Sequence, residues 1–138
     1  MAFTRPFTAM PADIDELGHV NNAVWVRWVQ DLAVAHWQAL ATAEEQAGLV
    51  WVVTRHEIDY RGNVRLGETV RGETWVPGAP YGARFDRHFR FLGADGKATV
   101  EGISTWALLD RTSGRLLRVR AELADRFRDD QASSSTSQ

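Results

Sequence analysis

The sequence predicts an α+β domain in which a strongly curved antiparallel sheet wraps one long helix. Three observations carry this: one long apolar-rich stretch at residues 23–47, a change to period-two alternation from residue 50, and further strand-like runs separated by Gly or Pro clusters. A length of 138 residues suits a single cored domain, and 44% hydrophobic with 25% charged residues is an ordinary globular composition. Sixteen Lys plus Arg against eighteen Asp plus Glu leave a net charge of −2, which argues against a nucleic-acid binder working through a basic surface. The absence of cysteine excludes disulfides, a thiolate nucleophile and Cys-ligated metal sites, and it fits a cytoplasmic location.

Residues 4–10 read as a first strand. Residues 1–12 hold one Arg, two prolines and no apolar run of seven, so they do not resemble a signal peptide. The stretch 23–47 has bilayer length, but Arg27, Asp31, His36, Glu44 and Glu45 would be costly to bury in lipid, so it is read as a soluble helix with no membrane role. Its polar residues Arg27, Gln30, Asp31, Gln38, Thr42 and Glu45 recur at steps of three, four or seven and form one stripe. The remaining circumference is apolar, which predicts a helix largely enclosed by other elements. Asn21 or Asn22 is its natural N-cap and Gly48 its natural C′ residue.

From residue 50 to 60, Val50, Val52, Thr54, His56, Ile58 and Tyr60 share one face of a half-buried strand. Strands follow at 68–76, 83–92 and 98–109, each rich in Val, Thr, Phe or Trp. A short run at 115–119 follows the turn Thr112-Ser113-Gly114, and 121–128 fits a closing helical turn. Residues 1–128 are therefore expected to form the domain, and 129–138, DDQASSSTSQ, a disordered polar tail.

Chemistry concentrates in residues 11–23, PADIDELGHVNNA, where two carboxylates, a glycine, a histidine and two asparagines directly precede the helix. A helix N-terminus offers unpaired backbone N–H groups and partial positive charge, which suit an anion or a developing oxyanion. With Asp15 close by, such a site would pair a nucleophile or general base with an electrophilic cradle, as acyl transfer requires. The competing reading is a plain Asx loop followed by a capped helix. An EF-hand starting at Asp13 is excluded by Leu17 and Val24 at ligand positions, and a D-x-D phosphatase motif by Leu17 and the lead-in Met10-Pro11-Ala12. His19, His36, His56 and His88 lack metal-ligand spacing, so no metal or cofactor is implied. His36 reads as a core or interface residue, and His56 and His88 as strand residues. G-x-S-x-G, P-loop and G-x-G-x-x-G motifs are absent from the sequence.

The run Asp13-Ile14-Asp15-Glu16-Leu17-Gly18-His19-Val20-Asn21-Asn22-Ala23 resembles the D-x-D-x-x-G-H-V-N-N-A signature of hot-dog-fold acyl-CoA thioesterases, the 4-hydroxybenzoyl-CoA thioesterase-like group. Further matches are Ile58-Asp59-Tyr60-Arg61, Val64-Arg65-Leu66-Gly67-Glu68, and Trp106 to Arg111 with Gly114-Arg115, so the resemblance spans nearly the whole cored chain. It implies one long helix wrapped by an antiparallel sheet, homodimers or homotetramers, and hydrolysis of an acyl-CoA substrate. It makes Asp15 the catalytic carboxylate, Asp13 a loop-shaping acid and the backbone N–H near Asn22 the oxyanion donor, with Gly18 permitting close approach of the acyl group.

His19, inside the motif, would orient substrate or Asp15, or simply bond the loop. The chain departs from the commoner pattern at Trp25, where Tyr is frequent, Asn63, where Pro is frequent, and Glu68, where Asp is frequent. The Trp25 change bears on the substrate pocket. Coenzyme A phosphates need cationic contact, for which Arg61 and Arg65, flanking the turn Gly62-Asn63, are the candidates. Two rivals remain: a non-catalytic acyl-thioester-binding module, and a dehydratase or hydratase on the same fold.

Overall fold

The computed structural model describes residues 2–135, the side chains of 129–135 excepted. Strand β1 (Phe3–Thr8) leads through one 3₁₀ turn, Pro11–Asp13, and a loop into the long helix α1 (Asn22–Leu40). A short helix α2 (Ala43–Gly48) follows, then strands β2 (Leu49–Tyr60), β3 (Thr69–Trp75), β4 (Arg84–Leu92) and β5 (Ala98–Asp110), and a closing helix α3 (Ala121–Ser135). The strands form one antiparallel sheet in the order β1-β3-β4-β5-β2, which leaves β1 and β2 as its edges.

Helix α1 begins where expected, because the Asn21 side chain accepts the Ala23 N–H. It ends earlier than the apolar run does. At Ala41 the backbone turns extended, and Thr42 starts a new helix through a capping box in which it and Glu45 exchange hydrogen bonds. Gly48 thus closes α2 and is not the C′ residue of α1. The enclosure expected for α1 is also incomplete within one chain. Val24, Trp25, Trp28, Val29, Leu32, Ala33 and His36 are buried, whereas Ala39 is exposed and Val34 is 44% exposed.

Two core clusters sit on the sheet. The first joins Trp25, Trp28 and Leu32 of α1 to Val70, Phe89, Phe91 and Val100. Close approach here depends on Gly72 of β3, where an added Cβ would stand 2.9 Å from Phe7, 3.0 Å from Phe91 and 3.1 Å from Leu32. The second gathers Val76, Phe85, Leu108 and Val119 under Leu123, Ala124 and Phe127 of α3.

In β2 the strict alternation breaks. Val53 pairs with Trp106 but Arg55 with Thr105, so Thr54 is the extra residue of a bulge. Trp51 and Val53 therefore turn inward before it, and His56 and Ile58 after it, while Val52 and Thr54 are exposed. The expectation that all even-numbered positions from Val50 to Tyr60 share one face is corrected accordingly. The run at 115–119 makes one isolated bridge, Leu109 with Leu116, and no strand. The closing helix runs past residue 128 to Ser135, and residues 136–138 of the expected tail lie outside the described residues.

Candidate active site

The segment before α1 folds as a small closed loop. Ile14 bridges Val20, Asn21 N–H donates to the Asp13 carbonyl at 2.9 Å, and Val20 N–H donates to the Val64 carbonyl at 2.8 Å. These bonds make one small hairpin: its turn runs from Asp15 to His19, its open end sets the start of α1 opposite Asp13, and its returning arm lies beside Val64.

The two acids of the loop are held differently. Asp13 is 5% exposed, accepts the Met10 N–H through Oδ2 and the Arg27 guanidinium through Oδ1, both at 2.9 Å. The Met10 N–H and then Arg27 hold its carboxyl below the usual aspartate value against the cost of burial. Asp13 is a structural acid, as its expected loop-shaping part requires.

Asp15 is half-buried. Its Oδ1 accepts the Leu17 N–H at 2.9 Å and the His19 N–H at 3.2 Å, while among the described residues its Oδ2 has no hydrogen-bond donor. Asp15 N–H donates to the His19 carbonyl and Gly18 N–H to the Asp15 carbonyl. Gly18 has φ +81°, a conformation that favours glycine, and the space its Cβ would occupy is open. At the helix start the Asn22 N–H makes no hydrogen bond among the described residues, whereas those of Ala23 and Val24 are taken by Asn21. The loop thus presents a carboxylate with one oxygen anchored and one open, and the helix start that follows the loop presents an uncommitted donor. Such a pair can activate a nucleophile and stabilise an oxyanion.

The other sequence-derived residues fall unevenly around this loop. His19 is part of it through its backbone. Trp25 is 2% exposed and packs edge-on against Trp28 and Phe91, so within one chain it offers no open face to a substrate. Arg61 is bound to Glu101 at 2.6 Å and lies 3.6 Å from Asp59. The Arg65 guanidinium is exposed and unpaired among the described residues, in a turn closed by its N–H to Glu68 and by Glu68 N–H to its carbonyl.

A cavity of about 310 Å³ lies elsewhere, between the second half of α1, the sheet and α3. Trp37, on its wall, is about 22 Å along the helix from Asn22 at 1.5 Å per residue, so cavity and loop are not one site within a single chain. Sequence reasoning passed over this cavity and its arginine, Arg87, because residues from six elements build it and no local pattern marks it. His36 is indeed a core residue, accepting from Arg87 at 2.7 Å, and His56 is half-buried against Ser104 at 2.6 Å. Among the described residues, no three His, Asp or Glu side chains are grouped to hold a metal ion, and no helix is long and apolar enough to cross a membrane.

Comparison with known proteins gives this geometry a context. Similar solved structures include a DHNA-CoA thioesterase from Staphylococcus aureus, with TM-score 0.80, 16% identity, and 98% of this chain and 94% of that one covered. A thioesterase complexed with coenzyme A and Zn from Thermus thermophilus aligns with TM-score 0.79 and 22% identity over 94% and 93% of the two chains. The probable thioesterase YbaW from Escherichia coli aligns with TM-score 0.76 and 17% identity over 91% and 96%. At these identities the likeness establishes the fold, which is the hot-dog fold. No curated protein sequence matches the chain. The family model described as "Acyl-ACP thioesterase N-terminal domain" matches residues 1–127, from β1 into α3 and through the Asp15 loop, and the chain belongs to that thioesterase family.

Proposed function

We propose that the protein is a thioester hydrolase that cleaves acyl-CoA thioesters to the free acid and coenzyme A. The observation that carries this reading is the Asp15 carboxylate, fixed through Oδ1 and open at Oδ2, in the loop that leads to the uncommitted Asn22 N–H at the start of α1. Oδ2 either attacks the thioester carbonyl, forming a mixed anhydride that water then opens, or takes a proton from an attacking water. In both routes the carbonyl oxygen becomes an oxyanion and the Asn22 N–H is the donor aimed at it. The leaving group is a thiolate whose conjugate acid has a pKa near that of cysteine, about 8.5, so no strong general acid is required.

Gly18 keeps the approach to the carboxylate clear of a side chain, and His19 fixes the carboxylate's orientation through its backbone. Arg65, with Arg61 as a second cation, binds the phosphates of the coenzyme; the unpaired state of Arg65 supports giving it the larger part. Trp25 acts as packing beneath the site. The finer relationship to 4-hydroxybenzoyl-CoA thioesterases belongs to this reading, resting on the Asp13 to Ala23 signature. So does a cytoplasmic homodimer or homotetramer, supported by the unpaired edge of the twelve-residue β2 and by the exposed Val34 and Val52. The domain is taken to end near residue 128, with the last turns of α3 and the polar residues after them beyond it.

The test is thiol release from short, long and aromatic acyl-CoAs and from the same acyl groups on acyl-carrier protein. Turnover of at least one acyl-CoA is expected. Binding of all of them without thiol release would instead mark an acyl-binding module, and preference for carrier-protein thioesters would correct the substrate class.

A further inference from the structure

We propose that the cavity between α1, the sheet and α3 is a binding site for a small, apolar carboxylate, favouring an aryl acid, held by Arg87. Three features of the cavity point the same way. First, its wall is aromatic: Trp37, Trp51, Phe85, Trp106 and Phe127 all line it, and its volume of about 310 Å³ lies at the lower end of small-molecule pockets. A rigid, flat, apolar body fills such a space with little loss of conformational freedom.

Second, the cavity holds a cation, Arg87, for which the described residues supply no carboxylate. Arg87 donates through Nη1 to His36 Nδ1 at 2.7 Å and to Thr74 Oγ1 at 3.2 Å, and its guanidinium lies 6.0 Å from the centre of the Phe127 ring. Among the described residues no carboxylate is within ion-pairing distance of it, and its Nε and Nη2 donors have no acceptor. Burial lowers its pKa to about 10, so it remains charged at neutral pH. Burial and Arg87 itself push His36 down to about 3, so the histidine is a neutral acceptor that adds no compensating charge. A half-buried cation with no anion beside it carries a desolvation cost that a bound anion would offset, and the planar guanidinium fork matches a carboxylate. Third, Trp106 Nε1, on the same wall, is a buried donor with no acceptor among the described residues. Among the described residues, the buried partnerless side-chain atom on this wall is therefore a donor, as the guanidinium of Arg87 is, and a ligand with acceptors complements both.

Within one chain the site is separate from the Asp15 loop, and its argument does not depend on how that loop is read. Isothermal titration of the full chain with naphthoate and with the uncharged naphthamide tests it, with decanoate and decanamide as the aliphatic pair. Naphthoate is expected to bind at least ten-fold more tightly than naphthamide, as a charge-assisted hydrogen-bond pair warrants. Arg87→Gln should bring the two together, Val34→Trp at the cavity rim should weaken both, and Asp15→Asn should change neither. The preference in the native protein decides the matter even if Arg87→Gln fails to fold. Absence of binding, equal binding of acid and amide, or a preference that survives Arg87→Gln would overturn the proposal. Loss of naphthoate binding in Asp15→Asn would overturn the separateness of the site, and tighter binding of decanoate than naphthoate would overturn its aryl selectivity.

Discussion

Asp15 and His19 are tied to each other twice: the Asp15 N–H donates to the His19 carbonyl at 2.8 Å, and the His19 N–H donates to Asp15 Oδ1 at 3.2 Å. The catalytic candidate is thus positioned by the backbone of its own loop, and the side chain that acts is also the side chain that closes the turn. Asparagine can still accept both N–H groups through Oδ1, whereas alanine cannot. Asp15→Asn should therefore stay within about 0.5 kcal/mol of native stability in urea unfolding, and Asp15→Ala should lose about 1–2 kcal/mol.

Stability should fall as pH drops from about 6.5 towards 5. His36 is buried, and its pKa is lowered from the ordinary 6.5 to about 3; that of His56 is also lowered by burial. Above pH 6.5 both states of the chain keep these rings neutral. Below it the unfolded chain takes up protons that the folded chain refuses, so His36 alone contributes a loss approaching about 1.4 kcal/mol per pH unit, continuing towards pH 3. Urea unfolding at pH 7, 6 and 5 measures the slope, and His36→Gln should flatten it. A slope of zero over that interval would contradict the buried, neutral state of His36.

Gly102 in β5 should not tolerate a side chain. A Cβ there would lie 1.9 Å from the Glu57 carbonyl oxygen of β2 and 2.9 Å from the Phe89 ring of β4. The clash is with backbone on one side and a core ring on the other, so the sheet must part locally to relieve it. Gly102→Ala is expected to cost about 3 kcal/mol or more, read as a lowered thermal midpoint or as insoluble expression.

Arg65 and Arg61 should separate in kinetics. Arg61 is already engaged by Glu101 and Asp59, while Arg65 is unpaired among the described residues. Arg65→Ala should raise KM for an acyl-CoA several-fold with little change in kcat, the effect of lost ground-state binding, and Arg61→Ala should do so less. Raising the salt concentration should diminish the difference, because both groups are exposed.

The parts of this protein that local chemistry determines were legible in its sequence. The start of α1 follows from Asn21 as an N-cap, and the part of Asp13 from its place two residues before Asp15 in the motif. The break after Leu40 was also marked locally, by Thr42 and Glu45 at capping-box spacing, but the continuing alanines concealed it. The bulge at Thr54 was not legible, since a register shift is a property of two strands. Trp25 reads from sequence as a pocket residue and stands in the core, because the face of a helix near a proposed site is also the face nearest the sheet. The Arg87–His36 contact joins residues 51 apart and had no local signature at all.

The central claim rests on the open oxygen of Asp15, and the most direct test is steady-state thiol release by native protein and by Asp15→Asn on the best acyl-CoA of the panel. The account predicts clear native turnover and a fall in kcat of roughly a hundred-fold or more, in a variant that unfolds like the native protein, as loss of an essential acid–base or nucleophilic group does. Native-like kcat in Asp15→Asn would contradict it and return Asp15 to the standing of a residue that only closes its loop.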